Sequence, residues 1–140
     1  MTGNPHHAGY DIIAAYEEEW ANIYFRSDDI VEVHLLPGVY NGKKVMHVID
    51  RIKILSGKSK LLVLTITDRR SMSTYSGVRA VFSKPAVDYS MAKAYLFHNK
   101  MQFLLANLGR WIFRPTIPIR FFRDREAAET WLSTFRGYGL

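Results

Sequence analysis

Two arginines, Arg69 and Arg70, stand just before a run of hydroxyl side chains, Ser73, Thr74, Tyr75 and Ser76, closed by Gly77. Guanidinium groups and hydroxyls at the start of a helix, where the first turn has unpaired N–H groups, are chemistry suited to a carboxylate, phosphate or sulfate. Similar groups recur in His98-Asn99-Lys100 and in Arg123-Asp124-Arg125, and Asp68 adjoins the first pair. Other chemistries lack their residues. The chain has no cysteine, so disulfides, thiolate metal sites and cysteine nucleophiles are excluded. His6, His7, His34, His47 and His98 show no metal-ligand spacing. There is no G-x-S-x-G elbow, no G-x-G-x-x-G and no phosphate-binding P-loop. The expected activity is therefore binding without catalysis, with no cofactor and no metal.

The elements that must position these residues follow from two alternating periods. The runs WANIYF (20–25) and IVEVHLL (30–36) are rich in β-branched and aromatic residues and are split by the turn RSDD, which predicts an antiparallel hairpin. Beyond Pro37-Gly38, the residues Val45, Val48, Ile49, Ile52 and Leu55 repeat at helical spacing and define an amphipathic helix ending near Gly57. LLVLTIT (61–67) is apolar at nearly every position, as expected for a strand covered on both faces. A second helix is predicted from Ser73, as its N-cap, to Phe82, followed by the Pro85 breaker and a strand over 91–97.

Asn99 and Gln102 have the spacing of an N-cap and its reciprocal partner. They open a third helix whose expected buried stripe is Met101, Leu104, Leu105, Leu108, Trp111 and Ile112. Pro115 and Pro118 bound its exit, a last strand covers 119–122, and Asp124 caps a helix with Ala127, Ala128, Trp131, Leu132 and Phe135 facing inward. The resulting order, ββαβαβαβα, predicts a single-domain α/β fold: a mixed sheet with an opening hairpin, strand 61–67 central and helices packed on it. Residues 1–19 form an acidic lead-in, with 1–10 expected to be poorly ordered and YDIIAAYEEEW (10–20) open to either a short helix or an extended segment. The domain proper spans 20–136.

Charge is unevenly placed along the chain. Residues 1–32 hold one basic and seven acidic side chains, whereas 33–140 hold 18 basic and 6 acidic ones, within a net charge of +6. A basic surface of this kind attracts acidic partners. Its cations are spread over every element and match no nucleic-acid-binding signature, so nucleic acid is not favoured. No apolar run reaches the ~18 residues of a membrane span and no signal peptide is evident, which makes the cytoplasm the expected location.

The element order, the stretch T-Y-S-G at the second helix, FLLANLG…RPTIPIRFF and the closing DREAAETWL resemble the STAS superfamily, particularly the SpoIIAA-like proteins common in bacteria. The resemblance covers about residues 20–135 and implies a small domain that regulates or binds other proteins, or in some relatives small ligands, without catalysis. In anti-sigma-factor antagonists the matching helix entrance reads Asp-Ser-Ser-Gly, with its first serine phosphorylated. Thr74 stands here in place of the aspartate and Tyr75 in place of that serine, so the resemblance does not carry over the serine switch. The expected site is an edge of Asp68, Arg69, Arg70, Ser73, Tyr75, Ser76, His98, Asn99 and Lys100, with Arg123 and Arg125 on the same side, because ligands gather beyond the carboxyl ends of parallel strands. Its partner is a protein or an anionic ligand, and a homo-oligomer is left open. The alternative is a carrier or sensor of a small apolar or lipid-like ligand held between the third helix and the sheet.

Overall fold

A computed structural model describes residues 9–57 and 60–136. The chain runs β1 (Ile12–Glu17), β2 (Ala21–Arg26), β3 (Ile30–Leu35), β4 (Val39–Tyr40), α1 (Gly42–Ser56), β5 (Leu61–Ile66), β6 (Met72–Ser73), α2 (Tyr75–Val81), α3 (Lys84–Val87), β7 (Ser90–Leu96), α4 (Lys100–Phe113), β8 (Ile119–Phe122) and α5 (Arg125–Ser133). Six strands form one mixed sheet in the order β1-β2-β3-β5-β7-β8, and β4 and β6 pair separately. The first two pairings are antiparallel and the remaining three are parallel. The hairpin, the central β5 and the parallel crossovers thus form as their sequence patterns require.

The acidic lead-in is extended, not helical, over 12–17, and the edge strand β1 lies antiparallel on β2. Tyr10 is buried and lies flat beneath Arg26, 3.5 Å from ring centroid to guanidinium carbon, so order begins earlier than the sequence led us to expect. His6 and His7, like most of the segment expected to be poorly ordered, lie outside the described residues. The short β4 and β6 carry too little period for sequence to reveal them.

Each interior strand divides its side chains between two layers. Leu62, Leu64, Ala92, Ala94 and Leu96 meet Ala128 and Leu132 of α5 on one face. Val33, Val63 and Ala21 meet Val48, Ile49 and Ile52 of α1 on the other, where Phe82, Tyr95, Phe97 and Phe121 form a second cluster beside Ala106 of α4. α1 starts at Asn41, whose side chain accepts from the N–H of Lys44, and ends at Gly57 with φ 61°, a left-handed turn that glycine adopts without strain. α5 is capped by Asp124 as its sequence requires, although Ala127 is exposed.

The hydroxyl run closes the fold instead of opening a site. Thr74, and not Ser73, is the N-cap of α2, accepting from the N–H of Gly77 at 3.2 Å. Ser73 belongs to β6, one residue too early to cap. The Ser76 hydroxyl accepts from the N–H of Gly42 at 3.0 Å and thereby ties the entrance of α2 to that of α1. Gly77 has no alternative at this crossing: a Cβ there would stand 2.1 Å from the carbonyl oxygen of Tyr40. The Tyr40 hydroxyl donates toward the carbonyls of Leu36 and Trp20 at 2.5 and 2.9 Å, and burial pushes its pKa up to about 12.

Candidate functional site

The carboxyl ends of β3, β5 and β7 bring part of the expected edge together. Asp68, Arg69 and His98 line an open hollow with Asn22, Tyr24 and His34. Asp68 holds Arg70 through two contacts from the guanidinium, 3.0 and 3.2 Å, and hydrogen bonds from Arg70 draw the exposed carboxyl below the usual carboxylate range. Arg70 is thus paired with Asp68, while its side chain stays exposed beside Arg69. Asn99 caps α4, its side chain accepting from the N–H groups of Met101 and Gln102, and Lys100 is the exposed first residue of that helix. Ser76 sits at the α1–α2 junction, whereas the N–H of Ser73 donates to Gln102 of α4 and Tyr75 lies beside Phe113 at the far end of that helix. Arg123 is exposed after β8, whereas Arg125 turns away from the edge and donates to Glu32 at 2.6 Å.

The Arg125 contact belongs to a buried ionic cluster that the sequence pattern did not reveal. Glu32, fully buried in β3, accepts from Arg26 at 2.9 Å and from Arg125 at 2.6 Å and contacts His34 at 2.5 Å. Arg26 also reaches Asp28 and Glu129. Burial pushes the Glu32 carboxyl up, but hydrogen bonds from His34 and Arg125 outweigh that and hold it at about 2. Because this folded value lies below the unfolded one, the cluster's stabilisation is complete above the ordinary carboxylate range and is lost as pH falls toward 2. The signal available in sequence was a single glutamate between two valines in IVEVHLL, and likewise Lys93 inside MAKAYLF.

α4 departs most from its pattern. The six residues read as its buried stripe are all exposed, from Leu105 at 43% to Trp111 at 71%. What the helix buries is Gln102, Ala106 and Gly109, with Phe103 and Phe113 half-buried. Gly109 explains the choice: a Cβ there would come within 2.9 Å of Val78 and 3.0 Å of Phe82, so α4 approaches α2 through its smallest residues. The Gln102 side chain, expected to reach back to its own cap, instead accepts from the N–H of Ser73 at 3.3 Å. Packing by small residues brings the helix axes close and leaves the bulky ridge of Met101, Leu104, Leu105, Leu108, Trp111 and Ile112 facing outward.

That ridge extends sideways and carries cations only. Tyr75, 72% exposed, lies 6.4 Å from the ring of Phe113, and Met72 is exposed next to Ser73. Lys100 and Arg114 stand at the two ends of the helix, Arg110 donates to the carbonyl of Ile119 at 3.1 Å, and no aspartate or glutamate occurs in sequence between Asp88 and Asp124. Contiguous apolar patches on monomers seldom exceed ~300–600 Å², and six large side chains at this exposure reach that range. Between the sheet and helices α1, α2 and α4 lies an interior cavity of about 70 Å³, well below the ~300–1,000 Å³ that drug-sized ligands occupy. No helix of the described residues is long and apolar enough to cross a membrane.

A family model described as Domain of unknown function (DUF7793) matches residues 24–136, and the chain belongs to that family. No curated protein matches the sequence. Among solved structures, the chain is similar to an uncharacterized protein of the DUF3478 family with a SpoIIAA-like fold from Shewanella loihica PV-4. The TM-score is 0.50 at 14% identity, covering 94% of this chain and 98% of that one. The fold is SpoIIAA-like, as the element order and the sequence resemblance led us to expect.

Proposed function

We propose that this DUF7793 domain is a non-catalytic protein-interaction module whose docking surface is the outer face of α4. The observation that carries this reading is the exposed apolar ridge from Met101 to Ile112. A helix earns no stability from large apolar side chains left in water, so a ridge of this size has its use in the bound state. The partner that fits is a protein presenting an acidic amphipathic helix, with apolar side chains for the ridge and carboxylates for Lys100 and Arg114 at its two ends. Self-pairing is opposed by the same charges: two α4 helices laid antiparallel would set Lys100 of each copy near Arg114 of the other, with no carboxylate on either helix to offset them.

The reading is tested by fluorescence anisotropy with a labelled acidic amphipathic peptide, a lysine-based counterpart of equal hydrophobicity, and anionic phospholipid vesicles, alongside sedimentation of the protein alone. The acidic peptide binds, weakens as salt rises, and outcompetes the basic one. Vesicle binding without peptide binding, or a dimer that sequesters Trp111, overturns the assignment. The nearby hollow of Asp68, Arg69 and His98 is a secondary contact in this view, reached by acidic groups of the same partner.

A further inference from the structure

Lys93 occupies a position where lysine is costly. It is 1% exposed on β7, and its side chain enters the apolar layer between the sheet and α1. Its ammonium donates to one carbonyl, that of Ala86, at 3.3 Å, and lies over the rings of Tyr89 and Tyr95 at 5.3 and 5.5 Å. The ionisable groups around it are Lys53 from α1, Tyr89 after α3 and Tyr95 on its own strand. None supplies a negative charge at neutral pH. Burial, aided by Lys53, lowers the Lys93 pKa to about 7. A second polar group is stranded beside it: the hydroxyl of Tyr89 is buried and has no hydrogen-bond partner among the described residues.

Both side chains line the same 70 Å³ cavity. Its remaining wall includes Val48, Ile52, Val78 and Phe82, and its other polar lining, from Thr65, Thr67, Ser73 and Gln102, is uncharged. Leu105, which borders the cavity and is also exposed on α4, marks where it meets the surface. An apolar chamber with an ammonium and a hydroxyl donor, but no acceptor of matching charge, is complementary to a small molecule with an anionic end and a short hydrocarbon end. The volume limits the choice. A cavity of ~150 Å³ accepts benzene, so one of about half that size takes a molecule smaller than benzene.

We propose that this cavity is a binding site for a short-chain carboxylate of acetate to propionate size, its carboxylate accepting hydrogen bonds from the Lys93 ammonium and the Tyr89 hydroxyl. The alkyl end lies against the valine and isoleucine wall. Uptake is coupled to protonation: the ligand stays anionic across neutral pH while the amine must be charged to pair with it. Going from about pH 6 to about pH 8.5 reduces the protonated fraction of a group titrating near 7 roughly thirty-fold, and affinity falls with it.

The test is a propionate titration of the full chain, followed by calorimetry and by NMR of the lysine ε-methylene and tyrosine ring signals. Propionamide serves as the uncharged isostere and Lys93→Met as the variant that keeps volume without charge. Saturable binding centred on β7 and Tyr89, weakened about thirty-fold across that pH range and at least tenfold by Lys93→Met or by propionamide, is the expected result. Equal affinity in Lys93→Met, equal affinity for propionamide, or no saturable change near Lys93 at tens of millimolar propionate overturns the site. Tyr89→Phe provides a second variant should Lys93→Met misfold: it binds propionate several-fold more weakly, and unchanged affinity refutes the pairing.

Discussion

α1 and α4 are helices of 15 and 14 residues on the same face of one sheet, each with apolar side chains at helical spacing, yet they use that spacing in opposite ways. α1 turns Val48, Ile49 and Ile52 into the core and leaves Lys43, His47 and Asp50 exposed. α4 turns Gln102, Ala106 and Gly109 inward and leaves leucines and a tryptophan outside. Helical periodicity identifies two distinct faces but does not say which of them the sheet covers. A small-residue face can be the packed one when the neighbouring helix comes close, and then the bulky face is free for a partner.

Matched truncations break the comparison most sharply. Ile52→Ala in α1 removes buried methylenes and costs about 2–4 kcal/mol, whereas Leu108→Ala in α4 stays within about 0.5 kcal/mol; urea denaturation of both variants reads the difference. A similar loss in the two helices would mean that α4 is a core helix after all.

Lys93→Met sharpens the account of the layer beneath α1. Replacing a buried, unpaired ammonium with an apolar side chain of similar volume should stabilise the protein by about 1–4 kcal/mol at neutral pH. The sign with pH follows from the lowered folded pKa: above about 7 the unfolded chain holds this proton while the folded one does not, so the parent gains stability as pH rises toward the unfolded lysine value. The variant lacks that gain, and its advantage narrows between about pH 7 and pH 10 in paired melts.

Gly109→Ala probes the close approach directly. The added methyl presses on Val78 and Phe82, side chains that can yield, while alanine improves helix propensity by about 1 kcal/mol. The net change is a loss of about 1 kcal/mol or less, in contrast to Gly77→Ala, where the methyl meets a backbone carbonyl and the loss is about 3 kcal/mol. The smallest effect belongs to Arg69→Ala with Arg70→Ala: these exposed residues lie outside caps and core, so the melting point barely moves while acidic-peptide binding weakens modestly.

Much of this architecture was legible before the fold was known. LLVLTIT announced a strand buried on both faces, Gly57 and Asp124 marked a helix end and a helix start, and RSDD marked the hairpin. The candidate site was legible only in part. Asp68, Arg69 and His98 do meet at the strand ends, because topology alone brings the loops after β5 and β7 together. The outward face of α4 was hidden, since a stripe of leucines looks the same whether it faces a sheet or water. Gly109 was the clue: a glycine within a helix signals close approach on its own face, which adjoins the leucine stripe without coinciding with it. The ionic cluster was hidden for a related reason: Arg26 and Glu32 are close in sequence on the β2–β3 hairpin, but Arg125 and Glu129, which complete the cluster, lie about a hundred residues away and meet them only in the folded chain.

The most direct test of the central claim is the melting temperature of Leu104→Ser, Leu108→Ser and Trp111→Ser combined in one chain, measured with its affinity for the acidic amphipathic peptide. An outward docking face predicts a melting temperature within a few degrees of the parent and loss of peptide binding. A protein that unfolds, or one that binds the peptide as tightly as the parent, contradicts it.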